Sequence, residues 1–272
     1  MGCGWEKVTL GSTKLKVSPL GIGSSYGIAG RDVEAAFERG INYLYWGSFR
    51  GGDFGQAIRN IAAKKREKLV VVVQTYTRIG MLMEPSLNSA LRKLKIDYTD
   101  LLLLGWWNDL PPKRILDAAL ALKESGKARH IMVSCHNRPT FQRFIEDPNY
   151  GAIMVRYNAA HTGAETEVFP YLKAKKRPGV VAYTATRWGG LVNPNNIPPG
   201  EPVPRGSDCY RFVLSNPAVN MSLIGPKNRE ELDEAMAALD RGPMDEDELE
   251  WMRRVGRAVR SGSPQIVDKM RD

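Results

Sequence analysis

Leu69-Val70-Val71-Val72-Val73-Gln74-Thr75-Tyr76 and Leu101-Leu102-Leu103-Leu104-Gly105-Trp106-Trp107 are apolar runs, and residues 85–94 between them carry apolar side chains at helical spacing. A strand buried on both faces reads as an unbroken β-branched or leucine run, so this segment reads as one parallel β-α-β unit. Outward from it, the same alternation recurs until there are eight strands. Apolar runs stand at 20–24, 43–46, 69–76, 101–107, 130–136, 153–158, 180–185 and 221–224. Helical stretches follow at 32–39, 54–65, 85–94, 113–125, 140–146, 166–174, 208–215 and 229–239, two of them stopped by Gly40 and Gly126. Eight β-α units in about 220 residues predict an α/β fold of the closed (β/α)8 TIM barrel type rather than an open doubly wound sheet. No GxGxxG fingerprint follows the first run, which argues the same way. A β-hairpin around Gly11-Ser12-Thr13 precedes the barrel, and a final helix over 245–260, with Leu249, Met252 and Val259 on one face, follows it. A single domain over residues 1–272 is expected. Residues 193–205, rich in Pro, Asn and Gly, form a long loop after the seventh run, which fits either a lid or a disordered excursion.

The 272 residues are 43% hydrophobic and 25% charged, which excludes disordered and fibrous classes. No apolar run approaches the ~20 residues that span a bilayer. The opening Met1-Gly2-Cys3-Gly4-Trp5-Glu6 has no export signal, and Glu6 stands where a myristoylation motif wants Ser or Thr. A cytoplasmic protein without a membrane partner is expected. Cys3, Cys135 and Cys209 are odd in number and scattered, against a disulfide framework or a metal site. Lys and Arg number 39 against 30 Asp and Glu, a net charge of +9. The basic groups (Lys64, Lys65, Arg66; Lys173, Lys175, Lys176, Arg177; Arg253, Arg254, Arg257, Arg260) fall late in helical segments and lack interleaved aromatics. They read as solvated helix ends rather than a nucleic-acid surface.

Longer motifs point to a family. Leu10-Gly11-Ser12-Thr13-Lys14-Leu15-Lys16-Val17-Ser18-Pro19-Leu20-Gly21, Arg39-Gly40-Ile41-Asn42-Tyr43 and Leu94-Lys95-Ile96-Asp97-Tyr98-Thr99-Asp100-Leu101 closely resemble the aldo-keto reductases. Gly126-Lys127-Ala128-Arg129, Val133-Ser134, Tyr157-Asn158, Val181-Ala182-Tyr183 and Ile224-Gly225-Pro226-Lys227 follow in the family's order. The resemblance implies an NADP(H)-dependent oxidoreductase acting on a small molecule, with a hairpin closing the barrel bottom and the cofactor across the mouth. It also implies a carbonyl reduction in which a Tyr acid, tuned by a Lys and helped by a His and an Asp, protonates the oxygen.

The chain departs from that tetrad at all four places. Asn42-Tyr43-Leu44-Tyr45-Trp46-Gly47-Ser48-Phe49-Arg50-Gly51 puts Tyr45 at the Asp position and Arg50 at the Tyr position, Tyr76 replaces the Lys, and Gly105 replaces the His. A guanidinium is a poor proton donor, so Arg50 can only stabilise charge. Tyr76 is the favoured substitute acid, standing where the Lys head would approach the substrate oxygen, or else simply fills the pocket. His136, with an ordinary pKa near 6.5, is a second proton donor or a satisfied structural histidine. It adjoins Cys135 on one strand, so the two face opposite ways and share no metal.

Among the cofactor positions implied by the resemblance, Ser134 matches a carboxamide-holding Ser and Tyr183 the ring that stacks on nicotinamide. Asn158 and Thr184 beside them are candidate contacts too. Met154 replaces a carboxamide-binding Gln, and Cys135 replaces an Asn. Lys227, Asn228 and Arg229 fall where the family clasps the 2′-phosphate, Glu234 where it contacts adenine, and Ala235 replaces the neighbouring Asn. Lys227 and Arg229 otherwise read as a solvated helix start.

Arg50, Arg78, Arg156 and Arg187 lie at or beyond strand ends, where barrel sites are built. Turned inward, they would make a cationic, aromatic-lined mouth for a carboxylate or phosphate; on the rim, they would pair with carboxylates such as Asp53, Glu84 and Asp109. Three functions follow. The first is an oxidoreductase binding NADP(H) with a rearranged site for an anionic or aromatic substrate. The second is an inactive nucleotide-sensing or binding protein, and the third a cofactor-independent barrel enzyme.

Overall fold

The computed structural model describes residues 6–47, 52–173 and 177–262. Two short antiparallel strands, β1 (Val8–Thr9) and β2 (Lys16–Val17), form the hairpin, with Val8 opposite Val17. Eight parallel strands close into a barrel: β3 (Leu20–Gly23), β4 (Tyr43–Trp46), β5 (Val70–Thr75), β6 (Thr99–Leu104), β7 (Ala128–Ser134), β8 (Tyr150–Arg156), β9 (Gly179–Tyr183) and β10 (Met221–Ile224), β10 pairing with β3 to complete the ring. Helices α1 (Gly30–Glu38), α2 (Gly52–Lys65), α3 (Met83–Leu94), α4 (Lys113–Glu124), α5 (Phe141–Glu146), α6 (Ala164–Glu167), α7 (Gly206–Leu214) and α8 (Arg229–Arg241) alternate with the strands, and α9 (Glu246–Ser261) follows. The expected (β/α)8 barrel with its hairpin and extra helix is the fold. None of the helices among the described residues is long and apolar enough to cross a membrane.

Strand residues alternate between two cores even where every residue is apolar. Tyr43, Tyr45, Val70, Val72, Leu101, Leu103, Met132, Ala152, Met154, Val181 and Met221 fill the barrel. Their neighbours Leu44, Trp46, Val71, Val73, Leu102, Leu104, Val133, Ile153 and Val155 pack against the helices. The period of two in a strand enforces this division. Leu10, Leu15 and Val17 belong to the interior set, so the hairpin plugs the barrel's lower end. Gly11, at φ +47°, allows that seal, since a Cβ there would lie 2.1 Å from the backbone nitrogen of Gly179.

Strand boundaries differ from the pattern-based expectation in one direction. β6, β7 and β8 begin two to three residues earlier and end two to three earlier than the runs 101–107, 130–136 and 153–158. At the entry of β6, polar Thr99 and Asp100 are fully buried. Asp100 bridges Arg66 at 2.9 Å and Arg129 at 3.1 Å and accepts from the Val71 N–H at 2.9 Å. The helix expected over 166–174 is shorter, ending at Glu167 before a single turn at Phe169–Tyr171, with Pro170 inside it. Proline lacks the N–H that a continuing helix needs.

Candidate active site at the barrel mouth

The barrel interior continues upward into an open mouth. After Val72, Met132, Met154, Val181 and Met221, the next residues on the same strand face are Gln74, Ser134, Arg156, Tyr183 and Leu223, and all five line a cavity of about 680 Å³. Tyr45, Tyr76, Trp106, His136, Thr184 and Trp188 line it too. It then extends to Lys227, Glu230, Glu231 and Glu234 at the start of α8. Four non-glycine residues on its loops hold left-handed backbone: Trp106 at φ 57°, Thr184 at 60°, Arg187 at 52° and Trp188 at 52°. Such conformations are uncommon for residues with a Cβ and concentrate at functional sites.

Tyr45, Gln74, Tyr76 and Gly105 are locked to one another. The Tyr45 hydroxyl donates to Gln74 Oε1. A Cβ on Gly105 would lie 2.3 Å from Gln74 Nε2 and 2.7 Å from Tyr76 Cε1, so the glycine makes room for both side chains. Tyr76, Trp106, His136 and Tyr183 then run along the wall edge to face, with successive centroids 5.7, 5.7 and 6.3 Å apart. Ser134 anchors the row, its Oγ accepting from the Trp106 N–H at 3.0 Å and its carbonyl from the Trp107 N–H at 2.9 Å.

The Tyr183 hydroxyl lies 3.3 Å from His136 Nδ1. Burial, and next the charge of Arg156, lower the His136 pKa and favour neutral imidazole. Burial raises the Tyr183 pKa, which Arg156 partly opposes. Cys135 turns from the cavity into the helix-facing core, as alternation requires, with its thiol pushed up to about 12 by burial.

The candidate cofactor residues divide. Ser134, Tyr183, Thr184, Lys227 and Glu234 line the cavity. Asn158 does not: fully buried, it donates to the Thr184 carbonyl at 2.8 Å and accepts from the N–H groups of Ala160 and His161 at 3.0 and 2.9 Å. Asn228 caps α8, accepting from the Glu231 N–H at 2.9 Å, and Arg229 pairs with Asp233 at 2.7 Å and Asp32 at 3.7 Å. Glu234 is braced by Arg205 at 2.6 Å and the Ser207 hydroxyl at 2.7 Å, which hold its pKa down against burial.

The arginines separate likewise. Arg156 lines the cavity. Arg78 turns onto the carbonyls of Gly105 and Trp106, at 3.0 and 2.7 Å, and stacks over Trp107. Arg187 is buried against the Val259 carbonyl of α9 at 2.8 Å. Two of the carboxylates expected to pair with rim arginines are engaged elsewhere: Glu84 binds Lys127 and Asp109 binds Arg143. Arg78 is held by backbone carbonyls just past β6 and Arg187 by one in the last turn of α9. Arg50 lies outside the described residues. None of residues 193–205 lines the cavity, although Val192 and Gly206 on either side do, and Glu201 ties the loop to α9 through Arg254 at 3.0 Å. Gln74 escaped the sequence reading, although one polar side chain closing a run of four valines on their inward parity was a readable signal.

This architecture matches known proteins over nearly its full length. An aldo-keto reductase of Bacillus halodurans in its holo form is similar at 20% identity, with a TM-score of 0.80, covering 93% of this chain and 97% of that one. An aldo/keto reductase of Klebsiella pneumoniae solved in complex with NADP and acetate is similar at 20% identity and a TM-score of 0.76, covering 93% and 96%. At that identity the likeness carries the fold. The sequence profile of the aldo/keto reductase family matches residues 10–207, more than half the chain, so the protein belongs to the aldo/keto reductase family.

Proposed function

We propose that the chain, as one domain over residues 1–272 working in the cytoplasm, is an NADP(H)-dependent oxidoreductase with a rearranged proton-donating site. Its substrate is an anionic or aromatic small molecule. The observation that carries this reading is the single cavity joining Ser134 and Tyr183 at the barrel mouth to Lys227 and Glu234 at α8. The residues present fit the nucleotide: one end offers a hydroxyl and a broad ring, the other a cation at a helix start, where phosphates are favoured. The bound nucleotide would supply hydride chemistry. Ser134 would hold the carboxamide end, Tyr183 would support the ring, and Lys227 would attract the 2′-phosphate. The Klebsiella relative was solved with NADP together with acetate, a nucleotide and a small carboxylate, and a cavity of this size has room for such a pair.

Tyr76 is the proton donor in this reading, exposed at the mouth and backed by Trp106. Tyr45 positions Gln74 beneath it, His136 holds a second exchangeable proton near Tyr183, and Arg50 stabilises charge. A fluorescence titration with NADPH and NADH tests the cofactor. NADPH should bind more tightly, and Lys227→Ala should weaken it about fivefold, the modest effect of a largely exposed cation, while leaving NADH unchanged. Equal affinities, indifferent to Lys227→Ala, would refute it. One observation favours a nucleotide-binding protein without reductase turnover: the place of the tetrad His is filled by Gln74 and Tyr76.

A further inference from the structure

Arg156 ends β8, between the end of β7 and its register partner Tyr183 on β9. Met154 precedes it on the same face and is buried in the barrel interior, which lifts Arg156 to the level of the cavity. The other Lys, Arg, Asp and Glu side chains lining the cavity, among the described residues, are Lys227, Glu230, Glu231 and Glu234, all in α8 or just before it. Glu234 is braced by Arg205, and Glu231 accepts from the Lys227 N–H at 2.9 Å. The strand ends therefore contribute one fixed charge to the described lining, and it is positive. Its charge is felt by Arg187 as well. The same cavity is lined by the aromatic row of Tyr76, Trp106, His136 and Tyr183.

We propose that Arg156 anchors the carboxylate of a small planar aromatic acid whose ring lies against this aromatic row. The guanidinium fork matches a carboxylate with two parallel hydrogen bonds, and the ion pair strengthens inside a partly dry cavity. An aromatic ring meets the row edge to face. The inference deepens the oxidoreductase reading by naming its substrate class, but needs only that the mouth binds a ligand.

Isothermal titrations of the full chain with benzoate and with benzamide, its neutral analogue, test it, with and without saturating NADPH. Benzoate should bind at least tenfold tighter than benzamide. Arg156→Gln should erase that difference, and Arg156→Lys, which keeps the charge but loses the fork, should retain part of it. Circular dichroism confirms that each variant is folded, and the native comparison decides by itself should a variant fail. Equal binding of benzoate and benzamide to the native protein overturns the proposal, as does a tenfold preference that survives in Arg156→Gln. Weakened NADPH binding with unchanged benzoate in Arg156→Gln assigns the arginine to a nucleotide phosphate and also overturns it. Benzoate selectivity without any NADPH binding defeats the oxidoreductase reading alone.

Discussion

Gly105→Ala tests whether Tyr45, Gln74, Tyr76 and Gly105 form one interlocked unit. Gly105 is not among the residues with positive φ, so its backbone accepts alanine, and the gain from a less flexible unfolded chain would be about 0.4–1 kcal/mol. Against it stand the contacts of the new Cβ, at 2.3 Å to Gln74 Nε2 and 2.7 and 2.8 Å to the Tyr76 ring. Gln74 is buried and tied to Tyr45, so it cannot simply swing aside. Overpacking of this kind costs about 1–3 kcal/mol, leaving a net destabilisation of about 1–2 kcal/mol. In a Gln74→Ala/Tyr76→Ala background these three nearest contacts are gone, and the same substitution should become neutral or stabilising by up to ~1 kcal/mol. Urea unfolding of the four proteins measures both values. Stabilisation in the native background, or an equal cost in both, would refute the interlock.

Turnover of simple aldehydes with NADPH should fall at least ~10² below ordinary reductase rates, since positioned acid catalysis is worth that much; if turnover is seen, Tyr76→Phe should abolish it. Asp100→Ala should cost about 3–5 kcal/mol in urea unfolding, because it leaves Arg66 without its buried carboxylate and the Val71 N–H without its acceptor in the wall below the site; a loss under ~1 kcal/mol would sink this account. Burial, helped by Arg129, sets His130 to about 4, and burial, helped by Arg156, sets His161 to about 4, both below the usual 6.5. The unfolded chain thus binds more protons between those values, so melting temperature should fall as pH drops from about 6.5 to about 4; a flat profile over that range would contradict the burial of these imidazoles.

The sequence by itself determined the architecture, because burial on both sheet faces and helical amphipathicity are periodic and local. The valine run of β5 and the leucine run of β6 announce parallel strands whatever lies around them, and the motif around Gly11 places the hairpin. Its resemblance to the aldo-keto reductases also led to the expectation that Tyr45, Tyr76 and Gly105 stand at tetrad positions. Local pattern could not say what these residues do together. The Tyr45–Gln74 bond spans two strands, and the space at Gly105 is claimed by side chains about 30 positions away, so only closure of the barrel reveals them. The same holds for the mouth cations. Arg78, Arg156 and Arg187 look alike in sequence, yet tertiary structure gave the first to carbonyls just past β6 and the third to a carbonyl in the last turn of α9, because carbonyls left unmet at strand and helix ends attract a nearby donor. Arg156 ended on the inward parity of β8 and faced the cavity, a consequence of register that distant pairings set.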